Sequence, residues 1–336
     1  MRYFIFSLVV SVSCMVGLTG CGKKETVAAK PNPNQIVAVV DTQTLTWQEM
    51  DERASGYLKH AMEREHLAFA SNKIAEVEHH FRQRAIKAFI YKTLMVQEAK
   101  RLKLTISEAD RAQGLKDLEK NLKDKNWTTN DFFNKGPQPA AKMRLEFEDG
   151  LLIDKLLRST IRNKISADEK EINQLIAQVT ATNGLRRATI ETVLKKIKDG
   201  EAFEELAKKF SMHPSAMNGG VLGDLIVGKN TLDKEVELAA IQQKVGAVSP
   251  VIETRSGFYL VKVISQTPGK PKTATTPEVP DKFNVAIIKV NRIPINRLQM
   301  SNTILKSKYD AAHQQYINEL KKRAIISCPL YPDMKF

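Results

Sequence analysis

The sequence predicts an α+β protein in two parts, a mostly helical domain and a small α/β domain built on an antiparallel sheet. Three observations carry that expectation. Helix-period apolar positions run through most of residues 47–181 and return at 302–323. The stretch Lys198–Ile264 orders helix, loop, glycine turn, helix and closing strand in fewer than 70 residues. Ile36–Val40, Gly257–Val263 and Phe283–Val290 are β-branched or alternating runs. At 336 residues the chain is long enough for two cores.

Composition sets the class. Apolar residues make up 42% and charged residues 27%, ordinary values for a soluble globular protein. Lys and Arg outnumber Asp and Glu by 52 to 38, a formal net charge of +14. Such an excess favours anionic partners: lipid headgroups, envelope polyanions or acidic unfolded chains. Nucleic acid is set aside as a partner because the chain opens with an export signal.

That signal is Arg2 followed by the apolar run Tyr3–Val16, too short to span a bilayer comfortably. Leu18-Thr19-Gly20-Cys21 follows and resembles the lipobox of bacterial lipoproteins. The resemblance implies a signal peptide at 1–20, diacylglycerol on Cys21, cleavage before it and acylation of the new terminus. Two or three acyl chains would hold the protein firmly on a membrane. Gly22 in place of aspartate implies the outer membrane in a Gram-negative cell. Residues 21–35 are polar, with two prolines, and read as a tether. Of the three cysteines this leaves Cys328 alone, so no intramolecular disulfide is expected and Cys328 should be buried.

The folded chain is expected to open with strand Ile36–Val40, a return strand at Thr44-Leu45 and a capping box, Thr46 to Glu49, that starts the first helix. A longer helix, about Lys73 to Lys103, buries Ile86, Phe89, Ile90, Thr93, Leu94 and Val96. Ser107 to Asp110 opens another helix. Asn126-Trp127-Thr128-Thr129 and Gly136-Pro137-Gln138-Pro139 punctuate two more, and Ser166 to Glu169 caps the next. The segment IYKTLMVQEAKRLKLTISEAD resembles the N-terminal domain of SurA/PrsA-class foldases, across about Ile36–Ile165. The resemblance implies a cradle for unfolded polypeptide.

The stretch from Lys198 carries the second resemblance. Its motifs are G-x-x-F-x-x-L-A-K-x-F-S (Gly200–Ser211), S-A-x-x-G-G-x-L-G (Ser215–Gly223), K-x-G-x-V-S-P-V (Lys244–Val251) and T-x-x-G-[FY] before a strand (Thr254–Val263). In this order and spacing they resemble the parvulin-type peptidyl-prolyl isomerase domain. A parvulin begins with a strand carrying A-R-H-I-L, and none is evident here; 168–181 keep helical spacing, and Arg187–Lys198 is already helix. Phe283–Val290 could fill that gap as a permuted strand beside Gly257–Val263, or could belong to the helical domain. The residues leave both arrangements open.

The expected domains are therefore 36–165 helical, 166–264 parvulin-like, a linker at 265–282, and a C-terminal strand, helix and strand (283–336) that completes one or both. The last helix, about Asn302–Arg323, is expected to bury Leu305, Tyr309, Ala312, Tyr316 and Leu320. Ala324–Ser327 reads as a terminal strand.

Parvulins are understood to use two strand histidines, an acid or cysteine after the loop serine, and Met/Phe pocket walls. Carried over, the closing-strand histidine is Tyr259, and the first-strand histidine is Ile287 in the permuted arrangement. The acid position is His213, with Ser211 placed to orient it. Leu222, Leu232, Val236 and Phe258 are the candidate proline-binding residues, after an insertion of about two residues following Gly228. Neither a cofactor nor a metal is expected: His79, His80 and Glu76 share a helix face without a third ligand, and no P-loop or nucleophile elbow occurs. The resemblance implies an envelope foldase that binds unfolded or nascent exported proteins with weak isomerase activity. The alternatives are a non-enzymatic holdase and an accessory lipoprotein of envelope or exopolysaccharide assembly. Nothing in the sequence specifies an oligomeric state.

Overall fold

The computed structural model describes residues 32–64, 73–123, 126–135, 139–226, 232–269 and 281–334. The signal peptide, Cys21, most of the tether, Gly136 to Gln138, Gly228 and the centre of the 265–282 linker lie outside them. The chain forms two compact units, one from residues 1–166 with 307–336, the other from 167–306.

The first unit combines a three-stranded sheet with helices. β1 (Ile36–Val40) pairs with β2 (Gln43–Thr46) on one side and with β7 (Ile326–Ser327) on the other, both antiparallel. The Thr46 hydroxyl accepts the Glu49 N–H, and the Glu49 carboxylate accepts the Thr46 N–H, which starts α1 (Trp47–Arg64). α2 (Ile74–Arg101) buries Ile86, Phe89, Ile90, Thr93 and Leu94 as its spacing predicts, with Met95 rather than Val96 completing the face. α3 (Glu108–Lys123), α4 (Thr129–Asn134) and α5 (Ala140–Thr160) enclose a second cluster around Leu118, Phe133, Phe147 and Leu151.

The C-terminal segment of α9 (Arg297–Arg323) returns to this unit. The helix begins five residues before the expected Asn302, because the Asn296 side chain caps it by accepting the Gln299 N–H. Ile317 and Leu320 are buried in the main core, whereas Tyr309, Ala312 and Tyr316 are only partly covered. Cys328 is buried there too, and burial pushes its thiol up to about 11. Glu98 of α2 ties the return in place. Its buried carboxylate accepts from Arg101 Nε at 2.7 Å, Tyr316 Oη at 3.2 Å and Arg323 Nη2 at 3.4 Å. Hydrogen bonding from Arg101 is the main cause that brings Glu98 down from 4.5 to about 2, against the upward pull of burial.

In the second unit the chain between Ala167 and Lys198 is one 30-residue helix, α6 (Glu169–Lys198). Asp168 and Glu171 close its capping box. α7 (Phe203–Phe210) and a 3-10 turn, Pro214–Asn218, lead into β3 (Val221–Ile226). α8 (Lys234–Gln242), β4 (Ile252–Glu253), β5 (Gly257–Thr267) and β6 (Lys282–Asn291) follow. The sheet order is β3-β6-β5-β4, so β6 lies in the middle, antiparallel to both neighbours. This is the permuted arrangement: Tyr259 pairs with Lys289 and Val261 with Ile287. Phe283, Val285 and Ile287 point to one face and Ala286, Ile288 and Val290 to the other. A strand covered on both sides reads as a continuous apolar run, as this one does.

Gly220 shows how tightly the glycine turn closes on β6. It has φ +86°, its carbonyl accepts the Ile287 N–H at 2.9 Å, and a Cβ there would sit 2.5 Å from the Ile287 carbonyl oxygen. The chain leaving β6 is pinned by Asn183, a buried α6 residue. Its amide nitrogen donates to the Ile293 carbonyl and its oxygen accepts the Ile293 N–H, both at 2.9 Å.

Two outcomes are expected. Both tryptophans, Trp47 and Trp127, lie in the first unit, so their fluorescence reports that unit while far-UV circular dichroism reports both. Asn183→Ala leaves the Ile293 groups unpaired and should cost about 1–3 kcal/mol, seen in urea by dichroism but not by fluorescence. A carboxylate held below its unfolded value stabilises above that value and loses the effect as pH falls through the folded one. The first unit should therefore weaken between pH 4.5 and about 2, and Glu98→Gln should flatten that fluorescence-detected acid transition.

Candidate functional site

The two faces of the sheet serve different cores. α6 and α7 cover the face of Phe258, Leu260, Ala286, Ile288 and Val290. The opposite face carries Tyr259, Val261 and Ile287, with Val236 and Ala240 of α8 packed on it and Leu222, Leu232 and Ile252 at its edge. The candidate site is this second face.

Strand alternation corrects one expectation directly. Phe258 precedes Tyr259, so its side chain is in the α6–α7 core, 2% exposed, and cannot line a pocket beside Tyr259. Val236 is on the expected face but has no exposed surface, because α8 lies flat on the sheet and seals it. Leu222, Leu232 and Ile252 are the apolar residues there that keep accessible surface. Ile287 is fully buried under them. The insertion expected after Gly228 falls outside the described residues.

The polar side of the site is a closed chain of hydroxyls. Asp233, the residue before α8, makes no side-chain cap; its carboxylate turns instead to the β4–β5 turn. It accepts from Thr254 Oγ1 and Ser256 Oγ, each at 2.5 Å. Burial raises the Asp233 carboxyl, but the hydroxyl bonds and the charge of Lys289 outweigh it and hold the group below its ordinary value. Ionised Asp233 has no proton to give, so Ser256 must donate to it. Ser256 Oγ lies 2.7 Å from the Tyr259 hydroxyl. With its one proton already directed to Asp233, Ser256 can only accept, and Tyr259 donates. The single tyrosine proton therefore points into the protein, and Tyr259, 3% exposed, has only oxygen lone pairs to offer a ligand. Ser256 and Asp233 were not singled out from the sequence; the T-x-x-G pattern passes through Ser256, but only folding brings Asp233 to it.

His213 stands apart from Tyr259: its hydrogen bonds run elsewhere. Its Nδ1 accepts the Ser215 N–H at 3.2 Å and lies 2.9 Å from Ser215 Oγ. That fixes the neutral ring with its proton on Nε2. Ser211 does not hold the imidazole as expected. Its hydroxyl oxygen accepts the backbone N–H of His213 at 3.3 Å and of Lys289 at 3.1 Å, joining the loop to β6. Burial first, then the Lys289 charge, lower the pKa of His213. Lys289 is thus the group between the two candidates, its ammonium 5.1 Å from the centre of the Tyr259 ring.

Comparison with known proteins agrees with these two units. Residues 159–265 match the family model of the PPIC-type PPIase domain, also called Rotamase. Residues 1–136 match that of the SurA-like N-terminal domain. The chain therefore carries a peptidyl-prolyl isomerase domain of the PPIC type together with a SurA-like N-terminal domain. It is similar to the foldase protein PrsA of Clostridium acetobutylicum, 21% identical over 77% of this chain and 84% of the relative. It is also similar to the chaperone SurA of Chromobacterium violaceum, 22% identical over 70% of this chain and 58% of the relative. The PrsA of a Geobacillus strain is 43% identical, but over 25% of this chain and 30% of its own length. At such higher identities the chain spans about a third or less of the curated relatives it matches.

The neutral imidazole gives a test. The His213 ring should titrate below 6.5 by NMR, and Lys289→Met, which removes the second of its two causes, should move the midpoint upward without restoring it fully.

Proposed function

We propose that this chain is a lipid-anchored extracytoplasmic foldase that binds unfolded exported polypeptides, and that its isomerase activity is weak or absent. One observation carries the second half. Where a parvulin has two imidazoles, this sheet has buried Ile287 and Tyr259, and the Tyr259 proton is directed to Ser256. Rotation about a peptide bond faces a barrier of about 18–20 kcal/mol. Lowering it calls for donors aimed at the amide as it twists, and Tyr259 has none free to aim.

Binding draws on different features. Leu222 and Leu232 at the site edge, with Met212 53% and Met217 84% exposed beside the loop, offer apolar surface to an extended chain. In the helical unit a shallow groove of about 270 Å³ on α1 is lined by Ser55, Leu58, Lys59 and Met62. The net charge of +14 favours acidic unfolded chains and anionic envelope surfaces. The lipobox-like Leu18–Cys21 supports attachment through acylated Cys21 and a place in the cell envelope. The names of the relatives, foldase and chaperone, agree with a client-binding role.

A protease-coupled X-Pro assay beside an aggregation assay tests this. The expected result is no turnover above the uncatalysed exchange, which takes tens to hundreds of seconds, with aggregation of an unfolded client suppressed. Fast turnover abolished by Tyr259→Phe would sink the weak-isomerase reading. Failure to suppress aggregation would sink the binding one.

A further inference from the structure

The residue that the mechanism leaves without an assignment is Lys289. It is the cross-strand partner of Tyr259 and lies two residues beyond Ile287, so it projects from the same sheet face as the candidate pocket. Its stem runs over Gly257, where a Cβ would come within 3.1 Å of Lys289 Cε. Its ammonium lies over the Tyr259 ring, and the residue as a whole is half-buried.

The neighbouring side chains hydrogen-bond to one another rather than to Lys289. Asp233 receives the Thr254 and Ser256 protons, Tyr259 donates to Ser256, and the Nδ1 of His213 is occupied by Ser215. Among the described residues no carboxylate lies within ion-pair distance of Lys289. An ammonium has three donors, and a ring face satisfies the charge without accepting them in line. Beyond the charge of Asp233, which Lys289 feels without pairing to it, its protons are open to an anionic acceptor supplied from outside.

We propose that Lys289 makes this site selective for prolyl segments in which an acidic side chain adjoins the proline. The ring would rest on Leu222 and Leu232, and the Asp or Glu carboxylate would meet the ammonium at the polar end of the same face. The inference rests on the client-binding function proposed above and names the sequence class that this domain takes. Tyr259 is restricted to accepting and neutral His213 carries no charge, so the preference for an anion over its neutral isostere falls on Lys289.

The test uses the full chain with ¹³C-labelled histidine, reading the His213 ring during titration with acetylated, amidated Ala-Glu-Pro-Phe, Ala-Gln-Pro-Phe and Ala-Lys-Pro-Phe. A fourth peptide, Ala-Gln-Pro-Phe with a free C-terminus, separates a terminal carboxylate from a side-chain one. The Glu peptide should bind about 5-fold tighter than the Gln peptide at low ionic strength, and the Lys peptide weakest. Lys289→Met, which keeps the stem, should equalise Glu and Gln, and Lys289→Glu should favour the Lys peptide. Equal affinity for Glu and Gln, or a preference kept by Lys289→Met, overturns the inference while client binding stands. So does a His213 signal that no peptide moves in a chain that still suppresses aggregation. Tighter binding of the free C-terminus than of the Glu peptide overturns the choice of an acidic side chain. Neither peptide binding nor aggregation suppression would overturn both proposals.

Discussion

The antiparallel pairing of β6 with both β3 and β5 is the constraint on which the second unit depends. β6 comes last of the four strands in sequence, yet it occupies the middle of the sheet. Without it β3 would have no partner, and the α7 and α8 cores would lose Ile288 and Ile287 respectively. The glycine turn fits the same strand, since Gly220 approaches the Ile287 backbone more closely than any residue with a Cβ could. Asn183 then fixes the exit of the strand to α6.

That pairing also determines the chemistry of the site. Register puts Lys289 opposite Tyr259 and Ile287 opposite Val261, and pleating turns all four toward α8. An apolar floor and a lone ammonium become neighbours through hydrogen bonding between segments some 25 residues apart. The proton of Tyr259 follows from a different contact, the Asp233 carboxylate at the start of α8, which orders the turn hydroxyls one after another. On the function proposed above, Ile287 and Tyr259 supply no imidazole, and this ordered network withholds the tyrosine proton.

The helical unit relies on a comparable return of chain. β7 closes the edge of the β1–β2 hairpin, and Glu98 gathers Tyr316 and Arg323 from α9 around a buried carboxylate. Such a contact matters mainly because the buried carboxylate would be costly without its partners, the two arginines themselves being largely exposed. It therefore specifies where the C-terminal helix docks more than how tightly. Both units thus take structure from late in the chain, which is why a family match ending at residue 265 stops short of the central strand.

Local physics made much of this legible. Apolar spacing placed most of the α2 face, capping residues marked α1, α3 and α6, glycines marked the turn before β3, and alternation marked β5 and β6. It faltered where neighbours decide: Phe258 was read as pocket because it adjoins Tyr259, but adjacency in a strand means opposite faces, and Val236 was sealed by the helix that carries it. By itself the sequence determined most of the elements, though not β3 or β4, and the two-part α+β class, because these depend on residue type and short-range period. Only the tertiary structure decided that β6 fills the sheet, that Asp233 fixes the Tyr259 proton and that Lys289 stands unpaired among the described residues. Those outcomes depend on which distant groups come within hydrogen-bond reach, and no local pattern encodes that.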